Sequence, residues 1–129
     1  MTRTVLIADD DASLRLLVST TLADDSLELL EAPDGQQALA LARQRRPDLI
    51  LLDVSMPGLT GLEVCRALKA NLPTARVPVV MLTAQGQDSD RERGLAAGAA
   101  AYLTKPFSPL QLLHLVEGLL KAERLSNPE

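Results

Sequence analysis

A chain of 129 residues with 47% hydrophobic content is long enough for one domain with a real core, and its two aromatic residues leave that core to Leu, Val, Ile and Ala. The net charge is −4, and no stripe of Lys or Arg offers nucleic acid an electrostatic footprint; Arg43, Arg45 and Arg46 read as a solvated helix end favoured by the helix dipole. The lone Cys65 excludes an intrachain disulfide, and with no basic-then-apolar opening segment and no apolar run of about 18 residues the expectation is a soluble, cytoplasmic protein away from membranes.

The predicted elements alternate. Thr4 to Ala8 is a strand, followed by a helix from about Ala12 to Ala23 with one of the aspartates at 9, 10 and 11 as its N-cap. Leu27 to Glu31 is the second strand. Asp34-Gly35 turns the chain into a helix from Gln36 to Arg45, which Pro47 stops. Leu49 to Leu52 is the third strand, and the Pro- and Gly-containing stretch Val54 to Gly61 is a loop. A third helix runs from Leu62 to Asn71, with Pro73 and Pro78 bracketing its exit. Val79 to Leu82 is the fourth strand, Ser89 to Ala97 the fourth helix, closed by Gly98, and Ala101 to Leu103 a short fifth strand. The fifth helix runs from about Pro109 to Arg124. Short apolar runs between helices are buried parallel strands, so the fold class is α/β, a doubly wound (βα)5 sheet without repeats. The domain is expected to span residues 1–124, with 125–129 as a frayed tail.

Four of these strands end on a polar group: Asp9-Asp10, Asp53, Thr83 and Lys105-Pro106. In an open parallel sheet ligands bind in the crevice beyond the carboxyl ends of the strands. Alone, an Asp-Asp before a helix is ordinary capping, a strand-ending Thr reflects β propensity, and Lys105 is a surface lysine. Together they gather three carboxylates, a hydroxyl and an ammonium. Two carboxylates about 4 Å apart repel by roughly 4 kcal/mol at an effective dielectric of 20. Such a cluster requires a proton or a cation, and hard oxygen ligands around an open cleft favour Mg²⁺. Lys105 suits a phosphoryl oxygen, Thr83 supplies a donor, and the amides after Asp53 and Thr83 are candidates to cradle an anion. These are the parts of phosphoryl transfer to a carboxylate, with Asp53 the nucleophile and the adjacent pair serving the metal.

Asp9-Asp10, Asp53 with Met56-Pro57-Gly58, Thr83-Ala84 and Lys105-Pro106-Phe107 resemble the full motif set of the response-regulator receiver domain, over about Thr4 to Leu120. The resemblance implies a flavodoxin-like fold with strand order 2-1-3-4-5 and a phosphoacceptor in two-component signalling. Asp53 then takes its phosphoryl group from a sensor histidine kinase or histidine phosphotransfer protein. It implies that Asp10 binds Mg²⁺ directly, that Asp9 acts mostly through water, and that the Ser55 backbone carbonyl is a further ligand. Lys105 and Thr83 hold the phosphoryl group, Lys105-Pro106 is cis, and Tyr102 is the aromatic switch partner of Thr83. The output is a changed face formed by the fourth helix, fifth strand and fifth helix. The chain is then a switch, catalysing only its own phosphorylation and slow dephosphorylation, with an output partner the sequence does not name.

One departure concerns assembly. Receivers of the winged-helix class, which this chain resembles around Asp90 to Leu95, carry ion-pairing residues where Ala100, Ala101, Gln111 and Leu115 stand here. A monomer, or a weak activated dimer held by apolar contact, is expected. Leu110 and Leu115 are surplus to the core stripe of the fifth helix and are candidate contacts, as are the extra leucines among Leu14, Leu16, Leu17 and Val18. A phosphatase of the haloacid-dehalogenase type needs a second acid two residues after its nucleophile, where Ser55 stands. A degenerate receiver would have lost an acid or the lysine, and a flavodoxin would show aromatic residues and a phosphate loop. Cys65 is read as core and His114 as an ordinary imidazole without partner ligands.

Overall fold

The computed structural model describes residues 2–84 and 88–126, with the side chains of Asp88, Asp90, Arg91 and 123–126 excepted. The elements are β1 (Arg3–Ala8), α1 (Ala12–Thr21), β2 (Leu27–Ala32), α2 (Gly35–Arg45), β3 (Leu49–Asp53), α3 (Gly61–Lys69), α4 (Leu72–Ala75), β4 (Val79–Ala84), α5 (Asp88–Ala96), β5 (Ala101–Lys105) and α6 (Pro109–Ser126). All strand pairs are parallel and their order is β2-β1-β3-β4-β5, as the family resemblance implies. The fourth and fifth helices expected from the sequence are therefore α5 and α6.

Side-chain alternation divides each buried strand between two cores. Leu6, Ala8, Ile50, Leu52, Val79 and Met81 point to one face, covered by Ala38 and Ala42 of α2, by Leu62, Val64, Cys65 and Leu68 of α3, and by Ala97 after α5. Val5, Ile7, Leu49, Leu51, Val80 and Leu82 point to the other, beneath Val18 and Leu22 from α1 and Leu112 and Val116 of α6. β3 is buried throughout because it is central and covered on both faces.

The departures from expectation lie at element ends. α1 stops at Thr21, and α3 stops at Lys69 before a one-turn helix, α4, that the sequence reading missed. That turn has Pro73 in its first two positions, where a missing N–H costs nothing, so a residue read as punctuation begins a helix. β4 continues to Ala84 because β5 pairs with it as far as Ala84 opposite Lys105. α6 runs through Ser126; 127–129, the rest of the expected tail, lie outside the described residues. Leu115 is not a surplus contact: it is half-buried against the second core. Leu110, Leu16 and Leu17 are exposed. Cys65 is buried, as expected, and His114 is exposed.

Candidate functional site

The polar strand ends meet at one edge of the sheet. β1 is register-paired with β3, Ala8 opposite Leu52, so the residues that follow emerge side by side. One carboxylate oxygen from each of Asp9, Asp10 and Asp53 falls within a 4.8 Å cluster. Their surroundings differ. Asp9 is fully buried and Asp53 nearly so, while Asp10 is exposed. Asp9 spends both oxygens: Oδ1 accepts from the Asp11 N–H at 2.9 Å and Oδ2 from the Lys105 ammonium at 2.7 Å. Asp53 Oδ1 accepts from the Ser55 N–H at 3.2 Å, and its Oδ2 lies 3.5 Å from the Lys105 nitrogen. The Asp10 carboxylate makes no hydrogen bond or ion pair among the described residues. Asp11 is the N-cap of α1, its side chain accepting from the N–H groups of Ser13 and Leu14.

Lys105 thus bridges two buried acids from the far edge of the sheet. Burial raises the Asp53 carboxyl to about 6; the nearby Asp9 charge adds to this, and Lys105 and the Ser55 N–H oppose it. For Lys105 burial pulls downward, but the hydrogen bond to Asp9 and the charges of both aspartates outweigh it and hold the ammonium above its usual range. The Lys105-Pro106 bond is cis.

The Thr83 hydroxyl is buried, 3.5 Å from that of Thr104, its register partner on β5. Tyr102 stands two residues before Thr104, on the same side of the strand, half-buried against the core beneath α2, α3 and α5. One expected feature is not available. The Val54 N–H, first after Asp53, donates to the Leu82 carbonyl at 3.1 Å, because the sheet pairing outlasts β3 by one residue. Of the amides directly after Asp53, the Ser55 N–H is the one that faces the acid.

The loop after β3 is held close. A Cβ on Gly61 would collide with the Asp53 carbonyl oxygen, and the Gly61 N–H donates to the Val54 carbonyl at 3.0 Å. Only glycine lets α3 start against the backbone of Asp53. Arg15 is a residue the sequence reading passed over: it donates to the Asp9 backbone carbonyl at 2.7 Å and to Glu31 at 3.2 Å. Its signal was position alone, one helical turn after the N-cap aspartate. Gln111 is also committed, since Ser108 and Gln111 cap the start of α6 reciprocally at 2.9 and 3.1 Å. Ala101 is half-buried against the second core and Ala100 is exposed; the Asp90 and Arg91 side chains lie outside the described residues. Arg45 pairs with Glu28 at 2.6 Å, which accounts for part of the basic cluster. Among the described residues no helix is long and apolar enough to cross a membrane.

Chemically, the donor set suits a small hard cation. Asp10 is unengaged and exposed and Asp53 retains a lightly held oxygen, whereas both Asp9 oxygens are already bonded within the protein. That division leaves Asp10 and Asp53 as the acids with an oxygen to offer a cation.

Residues 5–117 match the family model of the response regulator receiver domain. The phosphate regulon transcriptional regulatory protein PhoB of Pseudomonas aeruginosa is 43% identical over 119 residues, 92% of this chain and 52% of that protein. The DNA-binding response regulator MtrA of Mycobacterium tuberculosis is 41% identical over 121 residues, 94% of this chain and 52% of that protein. The chain therefore spans about half the length of these curated relatives. Among solved structures, the chemotaxis response regulator CheY4 of Vibrio cholerae superposes with a TM-score of 0.85 at 38% identity, covering 92% of this chain and 99% of that one. A putative response regulator from Chloroflexus aurantiacus gives 0.89 at 35% identity, covering 94% and 99%.

Proposed function

The chain belongs to the response regulator receiver domain family of two-component signalling, and from that premise we propose that Asp53 is its phosphoacceptor. The observation that carries this is the unequal treatment of the three acids. Asp9 is saturated by Lys105 and Asp11, Asp10 is exposed and unengaged, and Asp53 is buried with one oxygen only loosely held. Asp53 is the acid with both a sheltered site and a lone pair to offer.

The Asp53 oxygen forms a bond to phosphorus as the bond from phosphorus to the donor imidazole breaks, and the released imidazole takes up a proton. The donor is a phosphohistidine on a sensor kinase or phosphotransfer protein. Lys105 neutralises charge on the transferred group, and the Ser55 N–H and Thr83 hydroxyl donate to its oxygens. Asp10, Asp53 and the Ser55 backbone carbonyl would hold a Mg²⁺ ion, with Asp9 assisting through water, and the ion would supply further charge neutralisation. The chain acts on itself and not on a separate substrate; slow hydrolysis of the aspartyl phosphate resets it.

The readout follows from Thr83. Its hydroxyl has a long, readily exchanged contact with Thr104. Drawn toward a phosphoryl oxygen it leaves space that Tyr102 enters, and the face of α5, β5 and α6 changes. Phosphorylation biases an existing equilibrium by no more than its differential affinity for the two states. Which output this face addresses is set by the partner or domain that meets it; the relatives named as transcriptional and DNA-binding regulators make a DNA-binding effector the first to examine.

Acetyl phosphate with Mg²⁺, followed by intact-mass analysis, tests the assignment. The native chain should gain one phosphoryl group, Asp53→Asn none, and Asp10→Ala none while remaining folded. Equal labelling of Asp53→Asn would refute the phosphoacceptor, and unchanged Mg²⁺ affinity in Asp10→Ala would refute the ligand set.

A further inference from the structure

We propose that Arg15 is a positioning residue for the divalent-cation site: its guanidinium fixes the Asp9–Asp10 peptide and thereby aims the Asp10 carboxylate. This inference rests on the proposed cation site and goes beyond its ligands.

The geometry is specific. Arg15 Nη1 donates to the Asp9 carbonyl oxygen at 2.7 Å, and Nε reaches Glu31 at 3.2 Å. That carbonyl belongs to the peptide unit whose nitrogen is that of Asp10, so the guanidinium sets the plane of the peptide leading into the exposed acid. Asp9 has its side chain fixed independently, by Lys105 and by the Asp11 N–H. Asp10 has no such support: with no hydrogen bond or ion pair of its own among the described residues, its aim depends on the backbone of the turn. Arg15 suits the task. It rises from the first turn of α1, 17% exposed at its side chain, and its planar fork holds two acceptors at once. Glu31 lies on β2, register-paired to Ile7 of β1, so the guanidinium ties the helix, the turn and the neighbouring strand together.

The sign of the effect separates positioning from charge. Arg15 is a cation bonded to the backbone of one of the acids, so electrostatics alone predicts that removing it leaves cation binding as tight or tightens it. Positioning predicts the reverse, because supports of this kind typically contribute about 10-fold or more to metal affinity. Arg45 provides the control, being an arginine paired to another β2 glutamate, Glu28, at 2.6 Å but remote from the acids.

Titration calorimetry with MgCl2 on the full chain, metal-free at the outset, tests this alongside thermal unfolding and labelling by acetyl phosphate. Arg15→Met, which preserves length and helix propensity, should weaken Mg²⁺ roughly 10-fold. Arg15→Lys, with the charge but a single donor head, should fall between, and Arg45→Ala should match the native chain. At saturating Mg²⁺ the Arg15→Met labelling rate should return close to native, the mark of an aimed ligand and not of a damaged fold. Mg²⁺ binding by Arg15→Met as tight as native, or tighter, overturns the proposal, as does an equal loss in Arg45→Ala. If Arg15→Met does not fold, native affinity in Arg15→Lys overturns it. Should Asp10→Ala bind Mg²⁺ like the native chain, the underlying site assignment fails first, and that result is read from a different variant.

Discussion

Substituting Asp53 by Asn should make the metal-free protein more stable at neutral pH, because the native chain holds an ionised carboxylate where burial disfavours it. The carboxyl is raised from its ordinary 3.8 to about 6. That displacement is worth roughly 3 kcal/mol at most, at about 1.4 kcal/mol per decade. Between these two values the folded state binds a proton that the unfolded chain has released, so stability falls as pH rises through the window. The cost is complete above about pH 6 and absent below 3.8. Asn keeps an oxygen for the Ser55 N–H and Lys105 keeps Asp9, while the new NH2 group, standing where Oδ2 lay 3.5 Å from the ammonium, trims the gain. In EDTA near pH 8 the variant should gain about 2–3 kcal/mol, roughly 10 °C in midpoint for a domain of this size. Near pH 4 the two proteins should unfold together. Saturating Mg²⁺ should close the gap from the other side, adding about 2.7 kcal/mol to the native protein at a hundredfold excess over its dissociation constant. Thermal unfolding followed by far-ultraviolet circular dichroism decides the matter. A variant no more stable than native near pH 8, or an advantage equal at both pH values, would refute the reasoning.

Lys105→Met leaves the fully buried Asp9 without its cation and should cost about 3 kcal/mol, the low end for a broken buried pair because Lys105 is itself partly exposed. Adding Asp9→Asn should recover much of that loss in a chemical unfolding series, and a purely additive double variant would contradict the pairing. Gly61→Ala drives a methyl into the Asp53 carbonyl; it should destabilise the fold by about 1–3 kcal/mol and slow labelling by acetyl phosphate, whereas a native labelling rate would show that the loop yields freely. Activated self-association should be weak and nearly indifferent to salt, since Gln111 caps α6 and Leu115 is half-buried, leaving exposed Leu95 and Leu110 as the apolar contacts. Sedimentation with beryllofluoride at low and high salt checks this, and a tight dimer that dissociates as salt rises would assign the interface to charged residues instead.

Much of this architecture was legible because buried parallel strands announce themselves as unbroken apolar runs. Val5 to Ala8, Leu49 to Leu52 and Val79 to Leu82 all lie in the sheet, and each run ends at the edge where Asp9, Asp53 and Thr83 gather. Less visible was anything decided by tertiary contact. Read from the residues alone Asp9 and Asp10 are equals, separated only by what the family resemblance implies; the arrival of Lys105 from β5 makes Asp9 an internal counter-ion and leaves Asp10 open to solvent. Arg15 looks like any helical arginine until the Asp9 carbonyl is seen beneath it. The turn at Leu72–Ala75 was hidden by a proline that marks a helix start as readily as a helix end. Leu115 was misread because a wide α6 contact with the sheet buries more than one stripe of leucines.

The close seating of Gly61 on Asp53 has a mechanical consequence. On one side of the acceptor the chain is sutured: α3 begins in van der Waals contact with the Asp53 carbonyl, and the Gly61 N–H is bonded to the Val54 carbonyl. On the other side, above the β4–β5 ladder, the side chains of Thr83 and Thr104 meet through a single hydroxyl contact at 3.5 Å. A load applied at the Asp53 carboxylate therefore meets packed backbone toward α3 and a yielding side chain toward Thr83. Displacement travels in the soft direction, as in a lever with one end clamped. For the proposed acceptor, the missing side chain at Gly61 would set the direction of displacement as much as the point of phosphorylation does.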